Sequence, residues 1–189
     1  MTAFTTDLPA SEQKPHLREF QERLAERLRQ AESAPRTARL GLMIGERRWL
    51  VDLAEAGEIS PVPATIAAVP LTHAWFVGLV NLRGTLHAVS DLQRFAGGEA
   101  TPLGKESRLL SLSAASGINA AVLVTRMLGL HDTRDWETAR QDEARDGDDP
   151  GAQRPIWVGR CLRDSAGAQW VELSLARLAC DPRFLAANR

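Results

Sequence analysis

The stretch WFVGLVNLRG, residues 75–84, is the most informative segment of this chain. An apolar run leads into Arg83-Gly84 and a second apolar run follows it, so this pair is predicted to be the tight turn of a β-hairpin. Gly84 permits a positive φ at that point. Arg83 would be held at the rim of the sheet, with five donors suited to a carboxylate or to backbone carbonyls of a partner. An ordinary turn with one solvent-exposed arginine is the alternative interpretation.

Other short apolar runs, separated by turn residues, indicate further strands. Leu40, Leu42 and Ile44 alternate with other residues before the turn at 45–47, and the alternation resumes at Trp49, so another hairpin is predicted there. The predicted strands are residues 40–44, 49–53, 58–62, 75–82, 85–89, 109–112, 118–124, 128–130, 156–162 and 169–173. Because they recur at about ten-residue spacing without long helices between them, the sequence predicts a mainly β fold of small barrels or a sandwich.

Two linked β-modules are predicted within residues 35–189. They span about 38–96 and about 107–180, and each is a run of strands that ends before a short helix. Asp91 is suited to cap the first helix and Ser174 the second. The stretch 137–150 has six acidic and two basic residues and no large apolar side chain, so it is predicted to be a mobile, solvated loop.

Residues 1–34 are predicted to be a leader followed by an amphipathic helix. Four apolar residues at spacings of three and four form one stripe of this helix: Leu17, Phe20, Leu24 and Leu28. The stripe packs either on the flank of its own domain or on a partner, and the sequence leaves both alternatives open.

Composition and charge exclude several classes of protein. The chain has 189 residues with a net charge of −1, so no strong attraction to nucleic acid or to anionic lipid is expected. Its longest apolar run, residues 74–80, is far shorter than the ~20 residues of a membrane-spanning helix. Residues 1–15 carry no secretory signal pattern. We therefore expect a soluble, cytoplasmic protein without direct membrane insertion.

Catalytic and metal-binding motifs are not apparent in the sequence. The histidines have neither the mutual spacing nor the acidic neighbours of metal ligands: His16, His73, His87 and His131. There is no phosphate-binding glycine loop and no Gly-x-Ser-x-Gly nucleophile motif. The sequence therefore predicts no catalytic residues, no metal and no cofactor, which disfavours an enzyme.

Residues 76–92, with the core Gly-x-x-Asn-Leu-Arg-Gly at 78–84, resemble the signature of the CheW family, the adaptor proteins of bacterial chemosensory arrays. The resemblance extends from Arg39 to the end of the chain. It implies two five-stranded SH3-like β-barrels packed together, with short helices after each barrel. It also implies a non-catalytic scaffold that links a methyl-accepting chemoreceptor to a CheA-type histidine kinase. The N-terminal helix and the ending at 181–185 resemble the type IV pilus (twitching motility) branch of the family.

The resemblance also implies where partners bind. Glu58, Asn81 and Arg83 match positions on the surface used in kinase and receptor assembly. Leu53 and Leu109 match positions near an apolar receptor groove, although both are also consistent with ordinary core leucines. Two alternative functions stay open: a flagellar chemotaxis adaptor, and a small ligand-binding or enzymatic β-domain that uses a cleft between the modules.

Overall fold

The computed structural model describes residues 38–139 and 154–188. In chain order the strands are β1 (Ala38–Ile44), β2 (Arg47–Asp52), β3 (Ala56–Pro61), β4 (Phe76–Leu82), β5 (Thr85–Ser90), β6 (Arg108–Leu112), β7 (Ala120–Val124), β8 (Arg126–Asp132), β9 (Glu137–Thr138), β10 (Val158–Arg163) and β11 (Gln169–Leu173). The helices are α1 (Leu92–Phe95), α2 (Leu175–Leu178) and α3 (Pro182–Leu185), with a 3-10 turn at Ala114–Ser116. The predicted N-terminal helix lies outside the described residues.

The strands form two sheets. The first sheet has the order β8-β1-β2-β11-β10-β9, and the second has the order β3-β6-β7-β5-β4. Neighbouring strands are antiparallel except for β2 with β11 and β5 with β7, which are parallel. A short helix follows β5 and another follows β11. The predicted mainly β fold is therefore confirmed. Its two sheets have six and five strands, and they are compatible with the SH3-like barrels that the resemblance implies.

The sheets do not divide the chain where the two predicted modules divide it. The second sheet uses the continuous stretch 56–124, whereas the first combines β1 and β2 with β8 to β11. Each predicted module therefore contributes strands to both sheets. The chain crosses to the second sheet after β2, where the carboxylate of Glu55 accepts a 2.6 Å hydrogen bond from the Leu175 backbone N–H and its carbonyl accepts one from Ser113. It returns through Thr125, whose N–H donates to the Met43 carbonyl.

The first two residues of the predicted loop at 137–150 form a strand instead. Glu137 and Thr138 form β9 and pair with Arg163 and Leu162 at the edge of the first sheet. The pairing is made by backbone N–H and C=O groups at the exposed strand edge. A strand of two residues is too short to show apolar periodicity. The sequence pattern therefore could not reveal it. Residues 140–150 lie outside the described residues.

The core has three parts. A large apolar cluster between the two sheets takes side chains from both, and each sheet has a smaller cluster on its other face. Since successive side chains of a strand point to opposite faces, β6 sends Leu110 into the shared cluster and Leu109 into the cluster of the second sheet. Both leucines are fully buried.

The cap of α1 is a buried polar network. Asp91 is only 3% exposed, and its Oδ1 accepts hydrogen bonds from the backbone N–H groups of Gln93 and Arg94. Thr101 adds two bonds to the same carboxylate, from its N–H at 2.8 Å and from its hydroxyl at 2.7 Å. The predicted cap is confirmed, and it also anchors the loop that leads to β6.

Candidate interaction site

The β4–β5 turn has the tight geometry that its sequence predicts. Leu82 pairs with Thr85, so Arg83 and Gly84 are the two turn residues. Both have positive φ, +49° and +88°, which is the type I′ hairpin turn. The sequence indicated a positive φ for the glycine only. An arginine in this left-handed region costs about 1–2 kcal/mol, so the chain carries a charge at a position where asparagine or glycine would be more stable.

Arg83 and Glu58 are brought together by the fold. The Nε of Arg83 donates to Oε1 of Glu58 at 2.9 Å. The arginine side chain is 82% exposed and the glutamate side chain 33% exposed, so the pair contributes only about 0–1 kcal/mol to stability. Within the described part of the chain, the terminal amino groups of the guanidinium have no hydrogen-bond partner. They are available to an acceptor on another protein.

Asn81 supports the turn itself. Its Oδ1 accepts a 2.7 Å hydrogen bond from the backbone N–H of Gly84. Directly across the hairpin from Asn81 lies Leu86, an apolar side chain that is 56% exposed. The sequence reasoning missed Leu86, although a two-residue turn at Arg83-Gly84 fixes this register and so identifies it. The three predicted polar residues therefore lie together, beside an exposed apolar neighbour.

Leu53 and Leu109 do not share one groove. Leu109 has no exposed surface and packs among Val80, Val89 and Leu123 in the core of the second sheet. Its position corrects the receptor-groove interpretation and fits the alternative of a core leucine. Leu53 is 43% exposed and follows β2, where the chain crosses between the sheets.

Ile59, in strand β3 just after the crossing segment that holds Leu53, was missed. It is also 43% exposed, and it pairs with buried Leu110 at the edge of the second sheet. The apolar neighbour of Glu58 was visible in the sequence, but its exposure depends on β3 being an edge strand. Strand order is not readable from a local pattern.

In the first sheet, the turn between β10 and β11 precedes the strand that runs parallel to β2, as the Arg83 turn precedes the strand that runs parallel to β7. There Asp164 accepts hydrogen bonds from the Trp170 indole N–H at 2.9 Å and from the Ala168 and Ala166 backbone N–H groups. The indole N–H, followed by the backbone N–H groups, lowers the pKa of Asp164 from its ordinary value. The Asp164 carboxylate is hydrogen-bonded within its own turn, whereas the Arg83 guanidinium is largely exposed.

A cleft of about 1150 Å³ opens between the β1–β2 turn, the segment after α1 and the β10–β11 turn. Its charged lining consists of Glu46, Arg47, Arg48 and Glu99. Among the described residues that line it there is no histidine, cysteine, serine, threonine or lysine. This lining lacks the serine, cysteine or lysine nucleophile and the histidine base of the commonest catalytic arrangements.

Membrane-spanning helices and groups of metal ligands are two further features that bear on function. None of the helices in residues 38–139 and 154–188 has the length and apolar character that crossing a bilayer requires. In the same ranges, no three His, Cys, Asp or Glu side chains are grouped as ligands for a metal ion.

Comparison with known proteins places the chain in a family. Residues 39–153 match the family model described as CheW-like domain. Over 101 residues, 53% of this chain, the sequence is 30% identical to Protein PilI of Pseudomonas aeruginosa, and the match spans 56% of that relative's length. The crystal structure of the scaffolding protein TtCheW from Thermoanaerobacter tengcongensis has the same fold, with a TM-score of 0.57 and 18% identity over 74% of this chain and 89% of that chain. Because the family model covers more than half of the 189 residues, the chain belongs to the CheW-like family.

Proposed function

We propose that this protein is a non-catalytic adaptor that couples a methyl-accepting chemoreceptor to a CheA-type histidine kinase. Membership of the CheW-like family supports the adaptor role. The relative named PilI supports a chemosensory system that controls type IV pilus twitching motility. In this proposal the protein is cytoplasmic and reaches the membrane-bound receptor array through its partners. Flagellar chemotaxis is the alternative output.

The Arg83–Glu58 pair is the observation that carries the proposal. A charged side chain that is 82% exposed sits on a turn where it costs stability, and it is oriented by a carboxylate from another strand. A side chain retained at such a cost is explained by a contact outside the molecule. An arginine held at one end offers its remaining donors to a carboxylate or carbonyl with little further loss of freedom. We assign the surface of Glu58, Asn81 and Arg83 to kinase binding.

Leu53 on the crossing segment and Ile59 on β3 supply exposed apolar surface. They lie six residues apart in the chain, and both expose 43% of their surface. The receptor tip, which is a helical hairpin in this family, would bury such side chains against its own apolar face. We assign Leu53 and Ile59 to receptor binding, and Leu109 is no longer part of this surface.

Reconstitution with purified partners tests the assignment. The full chain is mixed with a CheA-type kinase and a receptor cytoplasmic fragment, and complex formation is measured by co-sedimentation. We expect Arg83→Glu to weaken kinase binding at least tenfold, equivalent to about 1.4 kcal/mol, with a nearly unchanged Tm. Arg134→Glu is the matched control, because Arg134 is also exposed and pairs with Asp132 at 3.2 Å in the first sheet. Normal kinase binding by Arg83→Glu would refute the kinase assignment.

The output is tested separately. Kinases from a twitching system and from a flagellar system of one organism compete for the protein. We expect the twitching kinase to be retained, and preference for the flagellar kinase would reverse this part of the proposal.

A further inference from the structure

Glu58 lies on a β-bulge of strand β3. Ala56 pairs with Leu112 and Ile59 pairs with Leu110, so three steps along β3 oppose two steps along β6. The extra residue places Gly57 and Glu58 together opposite Ser111. Such a bulge changes the direction of a side chain, since a one-residue shift moves every later side chain to the other face of the sheet.

At this bulge the hydroxyl of Ser111 replaces the backbone hydrogen bonds that would otherwise join β6 to β3. Its Oγ accepts a 2.7 Å hydrogen bond from the Glu58 backbone N–H and donates to the Glu58 carbonyl at 3.3 Å. One hydroxyl is able to make both bonds, because it has one hydrogen and two lone pairs. Ser111 is 5% exposed, so little water competes with it.

Gly57 lets the two strands approach this closely. A Cβ at Gly57 would lie 2.5 Å from the Ser111 Oγ and 2.7 Å from the Leu112 carbonyl oxygen. Both distances are too short for real contacts, so any larger residue there would push β3 away from β6. In the second sheet β3 is an edge strand whose neighbour is β6, so Ser111 acts from the one strand that adjoins Glu58.

We propose that Ser111 is a positioning residue that fixes the backbone of Glu58 and thereby sets its carboxylate against Arg83. The ion pair is 2.9 Å long, and it joins an edge strand to a hairpin turn. Neither side chain is buried enough to be fixed by packing, so the pair depends on where the backbone of each residue is held. The consequence for kinase binding rests on the proposed function, whereas the positioning of Glu58 does not.

The first test uses the free, full-length protein. Proton exchange of the Arg83 Nε–H is measured by NMR, because a hydrogen-bonded guanidinium proton exchanges more slowly than a free one. We expect Ser111→Ala to raise the exchange rate to that of Glu58→Ala. Gly57→Ala should do the same while leaving the hydroxyl in place. An unchanged rate in a folded Ser111→Ala protein overturns the proposal.

Ser107→Ala is the matched control. Ser107 is 3% exposed, and its hydroxyl accepts a 2.8 Å bond from the Gly104 N–H just before β6 and not from a residue of β3. Loss of the buried hydrogen bond between Ser107 and Gly104 should leave the exchange rate of the Arg83 Nε–H unchanged. If Ser107→Ala accelerates exchange as much as Ser111→Ala does, the effect is general loosening and the proposal fails.

The second test separates positioning from kinase binding. We expect Ser111→Ala to weaken kinase binding by about threefold or more in the natural background and to have no further effect in Glu58→Ala. Equal effects in both backgrounds would overturn the proposal, because a merely structural role adds independently of Glu58. Altered exchange together with normal kinase binding in every variant would uphold the positioning role and contradict the proposed function.

Discussion

Replacing Arg83 by asparagine separates stability from binding. The left-handed turn conformation costs an arginine about 1–2 kcal/mol, and asparagine adopts it more readily, so the change should return about 0.5–1 kcal/mol. Against this stands the loss of the pair with Glu58, which is worth about 0–1 kcal/mol because the arginine is 82% exposed. The free energy of unfolding should therefore stay within about 1 kcal/mol of its natural value. For a chain of 189 residues this is a change in Tm of about 2–4 °C at most.

Kinase binding should respond in the opposite way. An arginine that anchors an interface is commonly worth about 2 kcal/mol or more, so Arg83→Asn should weaken the complex at least tenfold. Thermal unfolding and a binding titration on the same preparations give both quantities, with Arg134→Asn as the matched variant of an exposed ion pair in the first sheet. A fall in Tm well beyond 4 °C would mean that Arg83 is a structural residue. Unchanged binding would mean that the guanidinium does not contact the kinase.

Two further predictions concern stability. Leu109→Ala should lower the free energy of unfolding by about 2–5 kcal/mol, because Leu109 is fully buried, whereas exposed Leu53→Ala should change it by less than about 1 kcal/mol and reduce receptor capture. Comparing urea midpoints with pull-down of a receptor fragment distinguishes the two, and a large stability loss for Leu53 would contradict its assignment. Asp91→Ala should cost at least about 2 kcal/mol, since it leaves two helix N–H groups and Thr101 without their acceptor. A thermal melt within 2 °C of the natural protein would show that water replaces the carboxylate.

Local features of the fold were readable from the sequence. A two-residue turn with glycine between apolar runs needs only its own backbone geometry, so the hairpin at Arg83-Gly84 was predicted from neighbouring residues. The same holds for Asp91 ahead of a short helix, because a capping carboxylate bonds to N–H groups two and three residues away.

Pairing between distant strands was not readable. The parallel contact of β2 with β11 joins Trp49 to Val171, more than a hundred residues apart, and no local pattern encodes it. For this reason the two sheets do not follow the predicted boundary between the modules. Leu109 is a second case, because β6 is buried on both faces and the adjacent Leu109 and Leu110 give no alternation from which to assign a face.

The topology separates the Leu53 and Arg83 parts of the two contacts that we propose. The charged pair belongs to the continuous stretch 56–124, so the geometry of Arg83 and Glu58 is set within the second sheet, through the β3–β6 bulge and the β4–β5 turn. Leu53 instead lies where the chain leaves the first sheet, beside Glu55, whose carboxylate is bonded to the first turn of α2. Substitution of Leu53 therefore need not displace the charged pair, whereas Ile59 directly follows Glu58 in β3. An adaptor that holds a receptor and a kinase at once requires this independence, and the single-surface variants described above are expected to lose one partner while keeping the second.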